Sequence, residues 1–299
     1  MIPSSSTPDA PASPRSRRKT DGGRRTADHG SRLPPPSFRL RVAARTGHSV
    51  VALLAALLLL FIVLPLVALF LRTTPASLLS SLRQPVAVSA LVLSLETTVI
   101  TLTLALALGT PAAYLLARWQ FPGKRLLDSL VDLPIVVPPA VAGVALLMAF
   151  GRAGLLGPAL NTLGIRLSFS TAAVVLAQLF VACPFYVRSA RAGFLGVDRA
   201  LEDASATLGY GGWGTFRRVT VPLTLPALVG GAVLTWARAL GEFGATIMFA
   251  GNLMGVTQTM PLAVYLGLES GDLDGAVALS VLLVLVSLLV LLVVRLLGD

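Results

Sequence analysis

The chain has 299 residues, of which 55% are hydrophobic and only 13% are charged, and its formal net charge is +10. A water-soluble domain of this composition would have too little polar surface to cover itself, so the composition excludes an ordinary soluble protein and indicates that lipid surrounds most of the chain. Residues 1–48 carry ten Lys and Arg against three Asp and Glu, which is +7 of the net charge. The remaining +3 gives no ground for predicting a nucleic-acid partner.

The first 48 residues are rich in Pro, Ser and Gly and poor in aromatic residues. This composition predicts a disordered, basic cytosolic tail that helps to keep the N-terminus inside the cell. A regulatory or nucleic-acid-binding arm is the alternative. A cleaved signal peptide is not expected, because the apolar run after the tail is too long and no small-residue cleavage pattern follows it. Residues 49–299 are predicted to form one transmembrane domain.

Six segments are apolar over about 20 residues, the length that a helix needs to cross a bilayer. They lie at about residues 50–71, 89–117, 130–150, 171–191, 226–250 and 276–297. The third is the weakest, since Asp132, Pro134, Pro138 and Pro139 interrupt it. The predicted fold class is therefore all-α, a polytopic integral membrane bundle of about six transmembrane helices.

The distribution of basic residues predicts the direction of the spans, because Lys and Arg in short loops stay on the cytoplasmic side. With both termini inside, the cytoplasmic segments hold nineteen of the 24 Lys and Arg residues. The outer loops hold only four, and the last outer loop carries Glu269, Asp272 and Asp274 instead. Residues 192–225 then form a cytosolic loop between the fourth and fifth spans.

This cytosolic loop contains the polar stretch Leu201–Gly209. The Ala and Leu residues around Glu202 and Asp203 predict a short helix, which Gly209 ends by accepting a positive φ, and Pro222 marks the return into a span. Four apolar or aromatic side chains are the expected contacts of a partner protein, namely Leu208, Tyr210, Trp213 and Phe216. The alternative is an amphipathic loop that lies on lipid headgroups, with its tryptophan as an interface anchor.

A carboxylate, an alanine and a glycine are spaced in this loop as Asp203, Ala204 and Gly209, and an aliphatic-x-aliphatic-Pro ending follows at Val219–Pro222. This spacing resembles the coupling loop of permease subunits of ATP-binding-cassette importers. Two departures are Asp203, where the family usually has Glu, and Ser205, where it usually has Ala. The resemblance implies a type I importer fold and an ATPase-coupling role for eight residues of the loop: Glu202, Asp203, Ala204, Leu208, Gly209, Trp213, Phe216 and Pro222.

Three further segments narrow the resemblance: Leu133–Gly143 in the third span, Trp236–Ala245 in the fifth, and Thr257–Pro261 in the last outer loop. They are similar to segments of the molybdate permease family, which has the sulfate and thiosulfate permeases as near relatives. The resemblance covers about residues 88–297. It implies the permease subunit of a molybdate importer, and a sulfate, thiosulfate or tungstate importer is the alternative within the same class.

Arg238 and Glu242 lie one helical turn apart in the fifth span, where charges tend to face a bundle interior or an aqueous cavity. Two interpretations stay open, the lining of an oxyanion path and a structural pair at a subunit interface. Because the order Arg before Glu is the less favourable one in a helix, a strong ion pair is not assumed. Ala237, Gly241 and Ala245 repeat every four residues, which favours close helix approach and an interface on that side.

The prolines of the third span free backbone groups, and broken helices at membrane depth are tolerated where they line a cavity or are covered by protein. They indicate either amide donors near an anion or a kinked packing helix. The candidate residues for the translocation path or the dimer interface are therefore Arg238, Gly241, Glu242, Gly244, Pro138 and Pro139.

The sequence contains no Gly-rich loop with Lys-Ser/Thr, so the chain is not expected to bind ATP or another cofactor. Its only histidines, His29 and His48, precede the first span, so neither a metal site nor a catalytic residue is predicted. The resemblance implies that ATP and Mg²⁺ bind to two partner ATPase subunits, that a second permease copy completes a homodimer, and that an extracytoplasmic protein delivers the oxyanion at the prokaryotic plasma (inner) membrane. The rivals are an ion-driven secondary carrier that uses Glu96 and Glu242, and an intramembrane enzyme.

Overall fold

The structure, a computed structural model, describes residues 36–298, and every regular element within this range is a helix. The predicted tail lies outside the described residues as far as residue 35, whereas residues 36–48 belong to the first helix. The chain divides into two units, one that ends at Leu60 and one that begins at Phe61. The candidate site residues all belong to the second unit.

The helices of the described residues are numbered in chain order. They are α1 (Pro36–Leu71), α2 (Pro75–Arg83), α3 (Pro85–Arg118), α4 (Lys124–Val136), α5 (Pro139–Phe150), α6 (Gly157–Thr162), α7 (Thr171–Gly196), α8 (Arg199–Thr207), α9 (Gly212–Thr215), α10 (Val221–Leu240), α11 (Gly244–Phe249), α12 (Met260–Glu269) and α13 (Leu273–Gly298). A π-helical turn, Phe216–Thr220, joins α9 to α10 without a break.

Five helical segments of the described range are long and apolar enough to cross a membrane. They are Val50–Leu71, Pro85–Arg118, Thr171–Gly196, Gly212–Leu240 and Leu273–Val293. Helices α4 and α5 pass the same test only as a bent pair, which gives up to six spans. The chain is thus an all-helical, multi-pass membrane protein, and the predicted fold class is confirmed.

The third predicted span, residues 130–150, is not one helix. Helix α4 ends at Val136 and α5 begins at Pro139, and the two differ in direction by 117°. Two successive prolines cause the break, because Pro138 and Pro139 have no N–H to donate and a residue before proline avoids the α conformation. Val137 is accordingly extended, with φ −68° and ψ 129°. The interpretation as a merely kinked helix is therefore wrong.

The fifth predicted span, residues 226–250, is displaced and broken. Its helix starts at Gly212 and ends at Leu240, so the second half of the predicted cytosolic loop belongs to the spanning helix. A separate helix, α11, begins shortly after this end, at Gly244. Between the two helices a carboxylate oxygen of Glu242 accepts a hydrogen bond from the backbone N–H of Ala245 at 2.8 Å. Glu242 precedes the N-cap Phe243, and its carboxylate satisfies an N–H in the first turn of α11.

Two short helices, α2 and α12, lie in segments that the sequence assigns to outer loops. Helix α12 is apolar but has only ten residues, about half of the length that crosses a bilayer. Helix α2 begins with a capping box, in which the side chains of Thr74 and Ser77 each bond the backbone of the other.

Helix α7 is the central helix of the second unit, since it packs against α3, α10, α4, α5 and α11. Small residues let the helices approach closely, as is usual in membrane bundles. A Cβ added to Gly109 of α3 would lie 2.8 Å from the Tyr186 ring of α7, and one added to Gly231 of α10 would lie 2.7 Å from Ser189. The buried core beside these contacts contains Ala113, Leu116, Ala117, Val187, Ala190 and Phe194.

Candidate functional site

The short helix predicted between residues 192 and 225 is α8. Its N-terminus is capped by Asp198, whose Oδ1 accepts a hydrogen bond from the backbone N–H of Ala200 at 2.9 Å. Gly209 follows the helix with φ +87°. A Cβ on Gly209 would meet nothing within 4 Å, so this position needs glycine for its backbone conformation and not for space. The predicted helix and its glycine end are confirmed.

Large apolar side chains around α8 are exposed at the surface of the chain. Leu208 is 78% exposed and Trp213 is 74% exposed. We call the exposed set the docking face, and it consists of Asp203, Ala204, Leu208, Tyr210 and Trp213. The Arg218 guanidinium lies 4.6 Å above the centre of the Tyr210 ring, which holds that ring in place. Such a patch is typical of a surface that another molecule covers.

Phe216 was expected to be an exposed contact, but it is partly buried beneath the docking face. Its ring centre lies 5.1 Å from that of Tyr114 on α3 and 6.2 Å from that of Phe194 on α7. The Trp213 ring stacks on its other side at 5.5 Å. Phe216 therefore supports Trp213 and connects the docking face to the bundle. Pro222 lies exposed in the first turn of α10.

Glu202 also differs from the exposed residues of its helix, because it turns towards the bundle. Its Oε1 lies 2.8 Å from Nη2 of Arg118 at the end of α3 and accepts a hydrogen bond from the Thr220 hydroxyl at 2.7 Å. The side chains of Arg118 and Glu202 are 8% and 17% exposed. The carboxylate is thus an internal link between elements.

Ser205, one of the departures from the family pattern, has a clear structural partner. Its side chain is buried, and its hydroxyl lies 3.0 Å from that of Thr215 at the end of α9. This hydrogen bond joins α8 to the start of the spanning helix. An alanine at this position would leave the Thr215 hydroxyl without that partner.

Within the membrane segment, Arg238 and Glu242 do form an ion pair, with 2.6 Å between Nη1 and Oε2. Glu242 is 1% exposed and Arg238 is 29% exposed. The pair forms despite its unfavourable order because α10 ends at Leu240, so Glu242 lies beyond the helix and is held by the N–H of Ala245. The cation is therefore the partner that reaches the surface of the chain.

The proline segment at the start of α5 and the glycine segment at the start of α11 pack against each other. A Cβ on Gly244 would lie 2.8 Å from the Cβ of Pro139, and one on Gly143 would lie 2.6 Å from the carbonyl oxygen of Ala245. Helices α5 and α11 therefore pack with almost no space between their backbones. Ala245 is buried in this contact and does not continue the exposed face of Ala237 and Gly241, so the predicted interface stripe ends at Gly241.

Gly241 and Phe243 line a mostly apolar groove of about 390 Å³ together with residues of α12 and α13. The Phe243 ring lies 5.0 Å from that of Tyr265, and Pro261 lines the same groove. The structure thus brings the fifth-span motif next to the Thr257–Pro261 segment. Pro138 is the residue before α5 and does not line this groove.

Sequence reasoning missed the polar residues that connect helices. Arg118 and Thr220 hold Glu202, and Gln178 of α7 donates to Thr97 and accepts from Thr101 of α3. The contacts of Gln178 could have been predicted from the sequence, because four small polar residues lie on one face of the apolar helix α3, namely Ser94, Thr97, Thr98 and Thr101. In the structure all four are buried. Among residues 50–293 no group of three His, Cys, Asp or Glu residues is placed to hold a metal ion.

These features define a class of protein: a multi-pass helical membrane protein whose short capped helix, between two spans, carries exposed apolar side chains. Residues 105–299 match the family described as the binding-protein-dependent transport system inner membrane component, and the chain belongs to that family. It is accordingly a transport component and not an enzyme.

Curated relatives and a solved structure agree with this assignment. The chain is 46% identical over 234 residues to the molybdenum transport system permease protein ModB of Mycobacterium bovis, covering 78% of this chain and 88% of that protein. It is 44% identical over 206 residues to ModB of Escherichia coli K12, covering 67% and 90%. The fold is shared with the bacterial alginate ABC transporter in complex with its pentasaccharide-bound periplasmic protein, at a TM-score of 0.68 and 15% identity over 85% of this chain and 94% of that chain.

Proposed function

We propose that the chain is the membrane permease of an ATP-driven molybdate importer. The observation that carries the proposal is the 46% identity to a molybdenum transport permease over 78% of the chain. The region that matches the family, residues 105–299, contains both the docking face and the Arg238–Glu242 pair. Substrate class and coupling are thus proposed for the same part of the molecule.

The docking face supports coupling to a separate ATPase. Exposed Leu208 and Trp213 side chains cost free energy in water unless a partner covers them, and the capped helix α8 presents them on a stiff element. In this proposal two ATPase subunits bind ATP and Mg²⁺, one on each of two permease copies, and this chain binds no cofactor. ATP-driven closure of the ATPases moves α8 and switches the path between its inward-open and outward-open forms.

The exposed face around Arg238 supports a second copy of the chain. Leu234 is 56% exposed, and Ala237 and Gly241 are exposed on the same part of α10. We place the second copy against this face, so that the path runs between the copies. Arg238 then attracts the oxyanion, and Glu242 limits how tightly it is held. An extracytoplasmic binding protein delivers the oxyanion to this path.

The proposal places α8 and both termini in the cytosol of a prokaryotic plasma membrane. The excess of Lys and Arg in the segments on that side supports this direction. A secondary carrier is less well supported, because Glu242 is already neutralised by Arg238 while Glu96 is exposed on α3. A coupling carboxylate has to be free to take up a proton or sodium ion and has to face the bundle interior or an aqueous cavity, and neither residue meets both conditions.

Uptake of labelled molybdate tests the proposal in cells that lack the chain and in cells that have it restored, each with and without excess sulfate. We expect restored uptake at low molybdate concentration that sulfate barely suppresses. Equal suppression by sulfate would overturn the molybdate assignment. Uptake by purified chain in liposomes without an ATPase partner would overturn the ATP-driven mechanism.

A further inference from the structure

We infer that Arg118, Glu202 and Thr220 form a joint that transmits the motion of α8 to two membrane helices. The inference rests on the proposed function, because it needs an ATPase that moves α8. It makes Arg118 and Thr220 positioning residues for transport. It also makes Glu202 an internal link and not a contact of the ATPase.

The joint is built around one carboxylate oxygen. Oε1 of Glu202 accepts one hydrogen bond from Nη2 of Arg118 at 2.8 Å and another from the hydroxyl of Thr220 at 2.7 Å. Arg118 comes from the end of α3, and Thr220 comes from the end of the π-helical turn that leads into α10. Because the pair is largely withdrawn from water, solvent competes little with these bonds. One oxygen therefore fixes α8 relative to two different helices.

Backbone contacts strengthen the connection on the α3 side. Nη1 and Nη2 of Arg118 donate to the carbonyl of Val197 at 3.3 and 3.2 Å, and Nη2 of Arg199 donates to the carbonyl of Arg118 at 3.3 Å. Val197 and Arg199 flank the capping residue of α8. The planar guanidinium thus holds the start of α8 and its first turn together, which the single ammonium of a lysine does not reproduce.

The two attached helices carry a displacement away from α8. Helix α3 runs without a break from Arg118 to Ser94, whose Oγ accepts a hydrogen bond from the backbone N–H of Met260 at 2.7 Å. Helix α10 starts directly after Thr220 and contains Arg238 in its last turn. Motion of α8 is therefore passed along α3 towards the start of α12, and along α10 towards the proposed oxyanion path.

The joint is separable from the folding of α8 and from docking. Asp198 caps α8, and the Ser205–Thr215 hydrogen bond attaches it to α9, and both remain when Glu202 is changed. The docking face does not include Glu202. Loss of the joint should therefore leave the ATPase bound while less of its motion reaches the membrane helices.

The test uses the complete complex of permease, ATPase and binding protein in proteoliposomes, and it measures oxyanion imported per ATP hydrolysed. Glu202→Gln removes the charge but keeps the size and an oxygen for Thr220. We expect import per ATP to fall about tenfold, with an unchanged amount of co-purifying ATPase, because the guanidinium is left without its counter-ion. The double variant Arg118→Gln/Glu202→Gln, which leaves no unpaired charge, should recover part of the loss.

The matched control is Asp128→Asn, which breaks a different ion pair between two helices. In that pair Nη1 of Arg191 on α7 lies 2.9 Å from Oδ1 of Asp128 on α4. Its import per ATP should equal that of the wild type. The joint is overturned if Glu202→Gln imports normally per ATP, if it loses bound ATPase in proportion to import, or if Asp128→Asn has the same effect. A wild-type complex that imports no oxyanion, or that imports without ATP hydrolysis, overturns the proposed function instead.

Discussion

The segment 198–220 presents apolar side chains outward and turns its carboxylate inward, whereas the segment 238–250 packs its small apolar residues inside and turns a cation outward. In the first, Leu208 is 78% exposed while Glu202 is held against Arg118. In the second, Ala245 is fully buried while Arg238 is 29% exposed. Each arrangement suits what we propose to lie opposite, an ATPase groove for the first and an oxyanion for the second.

The two ion pairs also differ in what they connect. Arg118 and Glu202 are 84 residues apart and belong to different helices, and we propose that their contact transmits displacement. Arg238 and Glu242 are four residues apart around the end of one helix, so their contact sets the local charge and the start of α11. We therefore assign coupling to the pair that joins α8 to α3, and adjustment of a local site to the pair at the end of α10.

The largest effect is expected at the end of α8, where Gly209→Pro should abolish molybdate uptake while the chain stays in the membrane. Proline cannot adopt the φ of +87° and removes the hydrogen bond from the N–H of residue 209 to the carbonyl of Ala206. Uptake and immunoblotting of membranes measure the two quantities. Gly211→Ala is the control, because Gly211 has an ordinary φ of −70° and open space around it. Normal uptake by Gly209→Pro would contradict a coupling role for α8.

The second largest effect is expected at Arg238 and Glu242, where two variants distinguish a role in the oxyanion path from a purely structural ion pair. Arg238→Gln leaves the buried Glu242 carboxylate unpaired and should lower both the amount of chain and uptake, with uptake falling about a hundredfold. In the double variant Arg238→Gln/Glu242→Gln we expect the amount to recover but not uptake, because the oxyanion still lacks its cation. Immunoblotting of membranes measures the amount of chain, and uptake assays measure transport. Recovery of both quantities in the double variant would mean that the pair is only structural.

A smaller effect is expected from trimming the docking face. Leu208→Ala should weaken ATPase binding about tenfold, since an exposed leucine that fills a partner's groove loses most of its contact area. Titration of purified ATPase against the permease in nanodiscs measures this affinity. Leu155→Ala is the matched control, because Leu155 is 86% exposed but lies between α5 and α6. An equal loss in both variants would argue against a specific docking face.

The smallest effect on transport is expected where α5 meets α11. Gly143→Ala places a methyl group 2.6 Å from the carbonyl oxygen of Ala245 and should lower the free energy of unfolding by about 1–3 kcal/mol. Thermal unfolding in detergent measures the change. Gly230→Ala on α10, where a Cβ meets nothing within 4 Å, should not lower stability. Equal stability of the two variants would show that this contact tolerates a methyl group.

Local chemistry made α8 predictable from the sequence. Its alanines favour a helix, Gly209 accepts the positive φ, and the polar stretch stands out between apolar segments. The inward direction of Glu202 was not predictable, because it depends on Arg118, which reaches it only after α3 and α8 have packed. Neighbouring carboxylates such as Asp203 and Glu202 look alike in sequence, and only the position of the partner distinguishes them.

The sequence by itself determined that this chain spans a membrane several times and that a short helix around Glu202 and Asp203 ends at Gly209, since these follow from apolar run length and short-range backbone preference. The resemblance to importer permeases comes from motif residues that match a known family. Only the tertiary structure decided that the third predicted span bends by 117° between α4 and α5, that α10 ends at Leu240, and that Glu202 joins α3 to the start of α10. The physical reason is that a hydrogen bond or a close backbone contact between distant segments depends on packing, which no local pattern of residues specifies.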